Sequence, residues 1–393
     1  MEAFVTSSVR HPFIFLIPLF FFFVACKKKK EELVLPSNFE MYYGSGGNEV
    51  GWELIEFNGF FYGIGTAETE SNKKDVYFLK LNACGDLLFE KHLGGVENEE
   101  GYALQATSDG NILLIGSSES ASNGSSDVLI MKVSPDGEII WSKKYGGAGQ
   151  DWGVDAIETK SSLYCILANT KSKGAGDSDI WLLWLDVHGN KSLEKTFGAT
   201  EMDGGSQLLE VERGEILVYG YTRNYGAVDR DLYLLKINAG GDSLWSEKYG
   251  GDGYEESQSL VLTPENDLVL IGHSSSKDPN HNMIAIKIDA EGRVIWEKEY
   301  GGMLHDGGQA ILINSNRNYV LVARSMSYGN QDRNAYVVTT DTEGRILSEW
   351  IIDRGKNDRI DDIIEYQGSY FLFGRSNSNG NDADDVFLVK RKI

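Results

Sequence analysis

The chain is expected to be an all-β protein built from seven copies of one four-stranded antiparallel sheet, and three observations carry that expectation. A large apolar or aromatic residue, usually followed by Gly-Gly and always by an acidic residue six positions on, recurs at Tyr43, Leu93, Tyr145, Phe197, Tyr249, Tyr300 and Ile352. The successive spacings are 50, 52, 52, 52, 51 and 52 residues, which marks a copied unit rather than a set of independent domains. The 45 glycines and 6 prolines suit many tight turns, and no sustained 3.6-residue apolar period after the amino terminus leaves room for long helices.

The repeat from residue 93 to residue 145 shows the elements in order. Residues 101–107 alternate in polarity and stop at Ser108-Asp109-Gly110, a hairpin signal, after which residues 111–117 form a second apolar strand. A polar loop leads to a third strand at residues 127–133, Pro135-Asp136-Gly137 turns the chain, and residues 138–144 form a fourth strand carrying Trp141. A sheet that is apolar on both faces is covered only by stacking against its own copies, and closing the copies into a ring also protects their edges. The unit is a β-propeller blade, and the expected fold is a seven-bladed β-propeller over residues 38–393.

The ends of the chain support closure. Repeat seven runs out at residues 385–393, its third strand, while residues 38–43 match the fourth-strand pattern. Phe39 stands where Trp141, Trp245 and Trp296 stand in other repeats, and Tyr43 stands where Tyr145 does. The amino-terminal strand is therefore expected to complete the last blade.

Residues 1–25 read as an export signal. Arg10 and His11 precede an apolar run of 13 residues from Phe13 to Ala25, too short to cross a bilayer. Phe23-Val24-Ala25-Cys26 resembles a bacterial lipobox, which implies that Cys26 is the acylated first residue of the mature chain and that residues 26–37 are a linker. The implied address is the cell envelope, with the chain lipid-anchored at the outer membrane on its periplasmic side or at the cell surface. Lys30-Glu31-Glu32 resembles the short charged signals of surface lipoproteins. The formal charge of −22, from 37 basic and 59 acidic residues, makes nucleic acid a poor partner and leaves the lipid anchor as the expected membrane contact. Cys84 in a turn of repeat one and Cys165 in an apolar stretch of repeat three are not expected to form a disulfide.

The pattern from Asp127 to Gly147, repeated from Asp231 to Gly251, runs from Asp through alternating apolar residues and Lys to Gly, Trp and Tyr-Gly-Gly. It resembles the β-propeller repeats common in bacterial secreted proteins and lipoproteins. The spacing of Gly137 and Trp141 is also similar to the tryptophan-docking blades of quinoprotein-type propellers. Those typically have eight blades, and no residue here matches a quinone ligand, so the resemblance implies a mode of blade packing and no cofactor.

Residues repeated in every blade read as scaffold. The acids Glu49, Glu99, Asp151, Asp203, Glu255, Asp306 and Asp358 are placed to accept backbone N–H groups in their own turns. The small residues Gly65, Gly116, Ala168, Gly220, Gly272, Ala323 and Gly374 are expected where neighbouring sheets approach closely. Function is expected where the copies differ. The next position reads Thr66, Ser117, Asn169, Tyr221, His273, Arg324 and Arg375, and connection geometry puts it near one rim. Asn169, Tyr221, His273, Arg324 and Arg375 are the candidate ligand-binding residues, of types suited to a glycan, a peptide or a carboxylate.

No metal site is expected. His273, His281 and His305 with Asp306 carry zinc-binding chemistry, but their spacing matches no metal motif, and Asn381, Asp382, Asp384 and Asp385 lack the order of a calcium loop. No G-x-S-x-G, H-E-x-x-H or phosphate-binding loop occurs, so no catalytic residue is assigned. The leading expectation is a monomeric propeller with a binding face for a protein or glycan partner. One alternative is a polysaccharide hydrolase or lyase with paired carboxylates in the central depression. Another is a scaffold subunit of an outer-membrane complex, which would show an extended apolar edge.

Overall fold

A computed structural model describes residues 37–393, apart from 70, 72, 123, 124, 278, 331, 381, 382 and 393. The export signal, Cys26, Asn381 and Asp382 lie outside the described residues.

Twenty-eight strands form seven four-stranded antiparallel sheets. In the first blade these are Glu49–Phe57, Phe60–Glu68, Lys74–Leu81 and Leu87–Leu93, from the central channel outwards. The last blade comprises Asp358–Tyr366, Ser369–Ser376 and Asp385–Lys392, and its outer strand is Phe39–Tyr43. Register runs from Phe39 opposite Lys390 to Tyr43 opposite Val386. The first blade packs on the seventh as well as on the second, so the ring is closed.

The closing strand uses the same join as the other blades whose fourth strand ends in tyrosine. A Cβ on Gly85 would lie 2.7 Å from the Phe39 ring, and the Tyr43 hydroxyl donates to the Gly85 carbonyl at 2.6 Å. Tyr300 likewise donates to Gly344 at 2.8 Å, and the Trp141 and Trp296 indoles donate to Val187 and Thr342 of the following blades at 3.1 Å. The receiving glycine sits in the turn between the third and fourth strands with φ of +84° at Gly85 and +73° at Gly344. That conformation and the aromatic ring above it both exclude a side chain.

The core lies between blades. Phe61 of the first blade stacks on Phe371 of the seventh at 4.3 Å between ring centroids, and Ile115, Val128 and Ile130 of the second pack on Tyr164, Ile166 and Trp181 of the third. Each such side chain contributes roughly 1.5–3 kcal/mol through burial.

Two repeated columns show their causes. Each of the seven acids accepts a backbone N–H from the residue four positions upstream, at 2.5 to 3.4 Å. The small column lies where neighbouring sheets approach closely, as expected, and a second close approach constrains it from inside the blade. Every first strand carries a β-bulge, as between Gly51 and Glu53, and the bulge turns a carbonyl towards the second strand. A Cβ on Gly65 would lie 1.7 Å from the Val50 oxygen, and one on Gly116 1.8 Å from the Glu100 oxygen. Blades also approach one another at the backbone of this column: a Cβ on Gly51 would lie 2.7 Å from the Gly374 oxygen of the seventh blade, and one on Gly101 2.8 Å from the Gly65 oxygen of the first.

Candidate functional site at the channel mouth

The first strand of each blade starts, and the second ends, on one face of the ring. Register sets the residue after each repeated acid opposite the variable residue of the second strand. The pairs are Val50 and Thr66, Glu100 and Ser117, Trp152 and Asn169, Gly204 and Tyr221, Glu256 and His273, Gly307 and Arg324, and Arg359 and Arg375. They form two concentric rings around the mouth of the channel.

The variable residues lie near one rim, as connection geometry implied, and several of them are buried there. His273 is 2% exposed and Asn169 4%, because each side chain reaches towards the following blade. The Asn169 side chain accepts from the Gly205 N–H at 2.7 Å and donates to the Gly205 carbonyl at 3.2 Å. It buckles the third blade to the fourth, and Thr66 accepts from Gly101 in the same way at 3.3 Å.

From the fourth blade to the first, the ring carries a continuous polar network. The Arg230 guanidinium lies 3.9 Å from the centre of the Tyr221 ring and donates to the Tyr254 hydroxyl at 2.9 Å. Tyr254 donates to Glu256 at 2.7 Å, and the Glu256 carboxylate lies 3.2 Å from His273 Nε2. Burial opposes ionisation of Glu256, but the His273 and Tyr254 hydrogen bonds outweigh it and hold the carboxyl down at about 2.

Past Glu256, three histidines distant in sequence meet. Ring centroids of His273, His281 and His305 are 5.2 to 5.9 Å apart. Gly307 leaves room for them: a Cβ there would lie 3.1 Å from Arg324 Nε, 3.4 Å from His273 Nδ1 and 3.5 Å from the His305 ring. Arg324 Nε, His273 Nδ1 and His281 Nδ1 are buried and find no hydrogen-bond partner among the described residues. Burial, then Arg324 and the other two histidines, pushes the His305 imidazole down to about 4, and burial with His273 and Arg324 lowers His281. Among the described residues, no group of three or more His, Cys, Asp and Glu side chains could hold a metal ion.

Arg359 is paired with Asp361 at 2.6 Å, and Arg375 lies 4.9 Å from the Trp52 ring. Beside them opens a cavity of about 540 Å³ whose walls include Trp52, Tyr102, Glu100, Lys74 and Arg375. The sequence held a signal for this cluster that the comparison of repeats overlooked: no arginine occurs from residue 11 to residue 212. The arginines of the ring all belong to its second half, and five of them, at 230, 324, 333, 359 and 375, start or end strands on the mouth face.

Below the mouth, a channel of about 240 Å³ is lined by the first strands of all seven blades. Carboxylates do gather there. Glu53, Asp155 and Asp362 each accept the backbone N–H of a leucine in the following blade, Leu104, Leu208 and Leu54, at 2.7, 2.7 and 2.9 Å. Asp155 and Asp362 bind a second N–H with the other oxygen, from Ala156 and Ile363. Burial raises Asp155 to about 7 and Asp362 to about 6, and burial with those two charges raises Glu53. Their oxygens serve the joins between blades. Cys165 is fully buried in the third blade and Cys84 lies in a turn of the first.

No protein-family model matches the chain. Regulatory protein FlaEY of Caulobacter vibrioides is 25% identical over 185 residues, which is 41% of this chain and 19% of that protein, so the chain spans a small part of its relative's length. A crystallised polysaccharide lyase superposes with a TM-score of 0.55 at 10% identity, over 93% of this chain and 94% of that one. A puromycin hydrolase superposes with a TM-score of 0.53 at 10% identity, over 84% of this chain and 50% of that one. At such identity these likenesses speak for the fold. The class they and the sheet topology define is the seven-bladed β-propeller, a fold consistent with a binding role.

Proposed function

We propose that the chain is a cell-envelope lipoprotein of the secreted β-propeller repeat type, whose channel mouth binds an anionic macromolecular partner, a glycan in the first instance. The observation that carries this reading is the gathering of Arg230, Arg324, Arg359 and Arg375 beside Trp52, Tyr221 and Tyr254 in a chain of net charge −22. Such a patch reverses the local field, and aromatic faces beside guanidinium groups suit sugars that carry acidic substituents. A lipid on Cys26 would hold the chain at the membrane. Affinity capture from intact cells tests the reading, with wild-type bait compared with an Arg324→Ala, Arg375→Ala double variant. Loss of specific partners from the variant supports it, and identical partners on both baits reject it.

One observation favours the scaffold reading instead. Leu87-Leu88, Ile139-Ile140, Val294-Ile295 and Ile346-Leu347, each 40 to 56% exposed, open the outer strands of four blades. Paired Lys substitutions at Ile139 and Ile140 would release a partner held by that edge and leave a partner held at the mouth.

A further inference from the structure

We infer that the junction of the fifth and sixth blades on the mouth face is a subsite for one oxyanion, a carboxylate or a sulfate ester carried on a sugar, held by Arg324, His273, His281 and His305. This inference rests on the proposed glycan-binding mouth and names the chemistry recognised there.

Four observations lead to it. The first is the set of unsatisfied groups. Arg324 Nε–H is a buried donor with no acceptor among the described residues, His273 Nδ1 beside it lines the space over Gly307, and His281 Nδ1 is likewise buried without a partner among them. Buried polar groups are almost always paired. With a proton on each imidazole Nδ1, an oxyanion is the group that would satisfy all of them together.

The second is the backbone. Gly307 stands where the other blades carry Val50, Glu100, Trp152, Glu256 or Arg359, and only Gly204 shares its lack of a side chain. At Gly204 the space is filled by Tyr221, whose ring carbon would lie 2.4 Å from a Cβ there. At Gly307 the nearest atoms are three nitrogen-bearing side chains at 3.1 to 3.5 Å, so the hollow is walled by hydrogen-bonding groups rather than by apolar packing.

The third is charge. Glu256 is already engaged by Tyr254 at 2.7 Å and His273 Nε2 at 3.2 Å. Asp306 accepts from the Gly302 N–H at 2.6 Å and from Ser327 at 2.6 Å, as the repeated acids do elsewhere. Arg324 meets Arg359 and Arg333 as like charges and Glu256 and Asp361 as opposite ones, but Glu256 is held by Tyr254 and His273 and Asp361 by Arg359. The Arg324 guanidinium therefore lacks a dedicated counter-ion.

The fourth concerns the walls. Tyr254 lies 5.7 Å from His281 and 6.1 Å from His273, ring to ring, and Arg230 covers its far side at 5.0 Å. An aromatic face next to an oxyanion hollow matches a sugar ring with an acidic substituent better than it matches a free inorganic ion.

Protonation supplies an independent readout. His305 faces Arg324, His273, His281 and Asp306, and His281 faces His273, Arg324, Glu256 and Tyr254. With both imidazoles shifted towards the neutral form, a bound anion favours their protonation, so binding takes up protons and tightens as pH falls.

Titration calorimetry of the intact ring tests the inference, with oligogalacturonate, its neutral methyl ester, a sulfated neutral oligosaccharide and an acidic peptide as probes at pH 5.5 and 7.5. One of the two acidic sugars is expected to bind more tightly at pH 5.5, with proton uptake seen as a buffer-dependent heat, and the methyl ester is expected to fail. The stronger acidic sugar identifies the oxyanion as carboxylate or sulfate. Arg324→Gln should weaken binding by about tenfold or more, and His305→Phe, which keeps the ring, should abolish much of the pH dependence. Circular dichroism melts establish that both variants are folded. If an acidic sugar binds but ignores both substitutions while Trp52→Ala weakens it, the subsite is overturned and the mouth reading stands. If only the peptide binds, the sugar chemistry is overturned. If no probe binds while partner capture still depends on Arg324 and Arg375, the oxyanion-on-sugar assignment is likewise overturned and the mouth reading survives.

Discussion

The Tyr43 hydroxyl donates to the Gly85 carbonyl at 2.6 Å, tying the first strand of the chain to a turn 42 residues later, in the neighbouring blade. With Phe39 packed on the same glycine, this contact closes the ring between its last blade and its first. Stability should therefore depend on a strand of only five residues, Phe39–Tyr43. Tyr43→Phe is expected to lower the unfolding free energy by about 1 kcal/mol, the net value of one hydrogen bond. Phe39→Ala should lower it by roughly 2 to 3 kcal/mol. Hydrogen exchange of the seventh blade's third strand, Asp385–Lys392, checks the mechanism, since an opened latch exposes that edge before the rest of the ring unfolds.

Gly65→Ala should be severe although it adds one methyl group. The Val50 oxygen stands 1.7 Å from the new carbon, so the bulge must shift or the strand pairing must break. A loss of about 3 kcal/mol or more in chemical denaturation is expected. Gly59→Ala meets no steric obstacle, since nothing lies within 4 Å of its Cβ direction, and its effect comes from its φ of +82° alone. It should cost only about 1 kcal/mol.

The repeated acids predict a graded effect. Asp151 accepts from the Gly147 N–H at 2.9 Å and from Ser172 at 2.5 Å, and Thr170 also donates to it. Asp151→Ala leaves those donors unsatisfied and should lose about 2 to 4 kcal/mol, whereas Asp151→Asn retains one acceptor and should lose less. Equal losses in thermal melts would show that the carboxylate is not the organiser of its turn.

Channel acids give the ring a pH dependence of defined sign. Burial raises Asp155 from 3.8 to about 7 and Asp362 to about 6. The folded state thus holds protons that the unfolded state releases. Their contribution is fully present below about pH 4 and is lost as pH rises through 6 to 7. Asp155→Asn removes that titration and keeps an acceptor for the Leu208 N–H. Relative to wild type, its melting temperature should rise between pH 5 and pH 8, and a constant difference across that range would contradict the assignment.

Much of this molecule is legible in one repeat. The alternation, the turn residues and the 50- to 52-residue period specify strands, blades and their number, because each is a local property of the chain or a simple repetition of one. Phe39 and Tyr43 were recognisable as a misplaced fourth strand because they keep the repeat's aromatic spacing. The small column was legible as a place where neighbouring sheets meet, but the second constraint on it, from inside the blade, was not. A bulge at Gly51 and Glu53 is a matter of register between two strands, and no single residue announces it.

The site follows the same division. Sequence determined that Tyr221, His273, Arg324 and Arg375 occupy equivalent places in successive blades, since equivalence is a question of counting. Only the closed ring decided that Arg375 lies against Trp52 of the first blade, that His281 and His305 join His273 beside Gly307, and that Asn169 is taken up by the Gly205 backbone. His281 and His305 are 24 positions apart, His273 and His305 32, and Asn169 and Gly205 36, across blade interfaces where curvature and packing of neighbouring sheets set the distances. Those quantities belong to the ring as a whole and to no one of its copies.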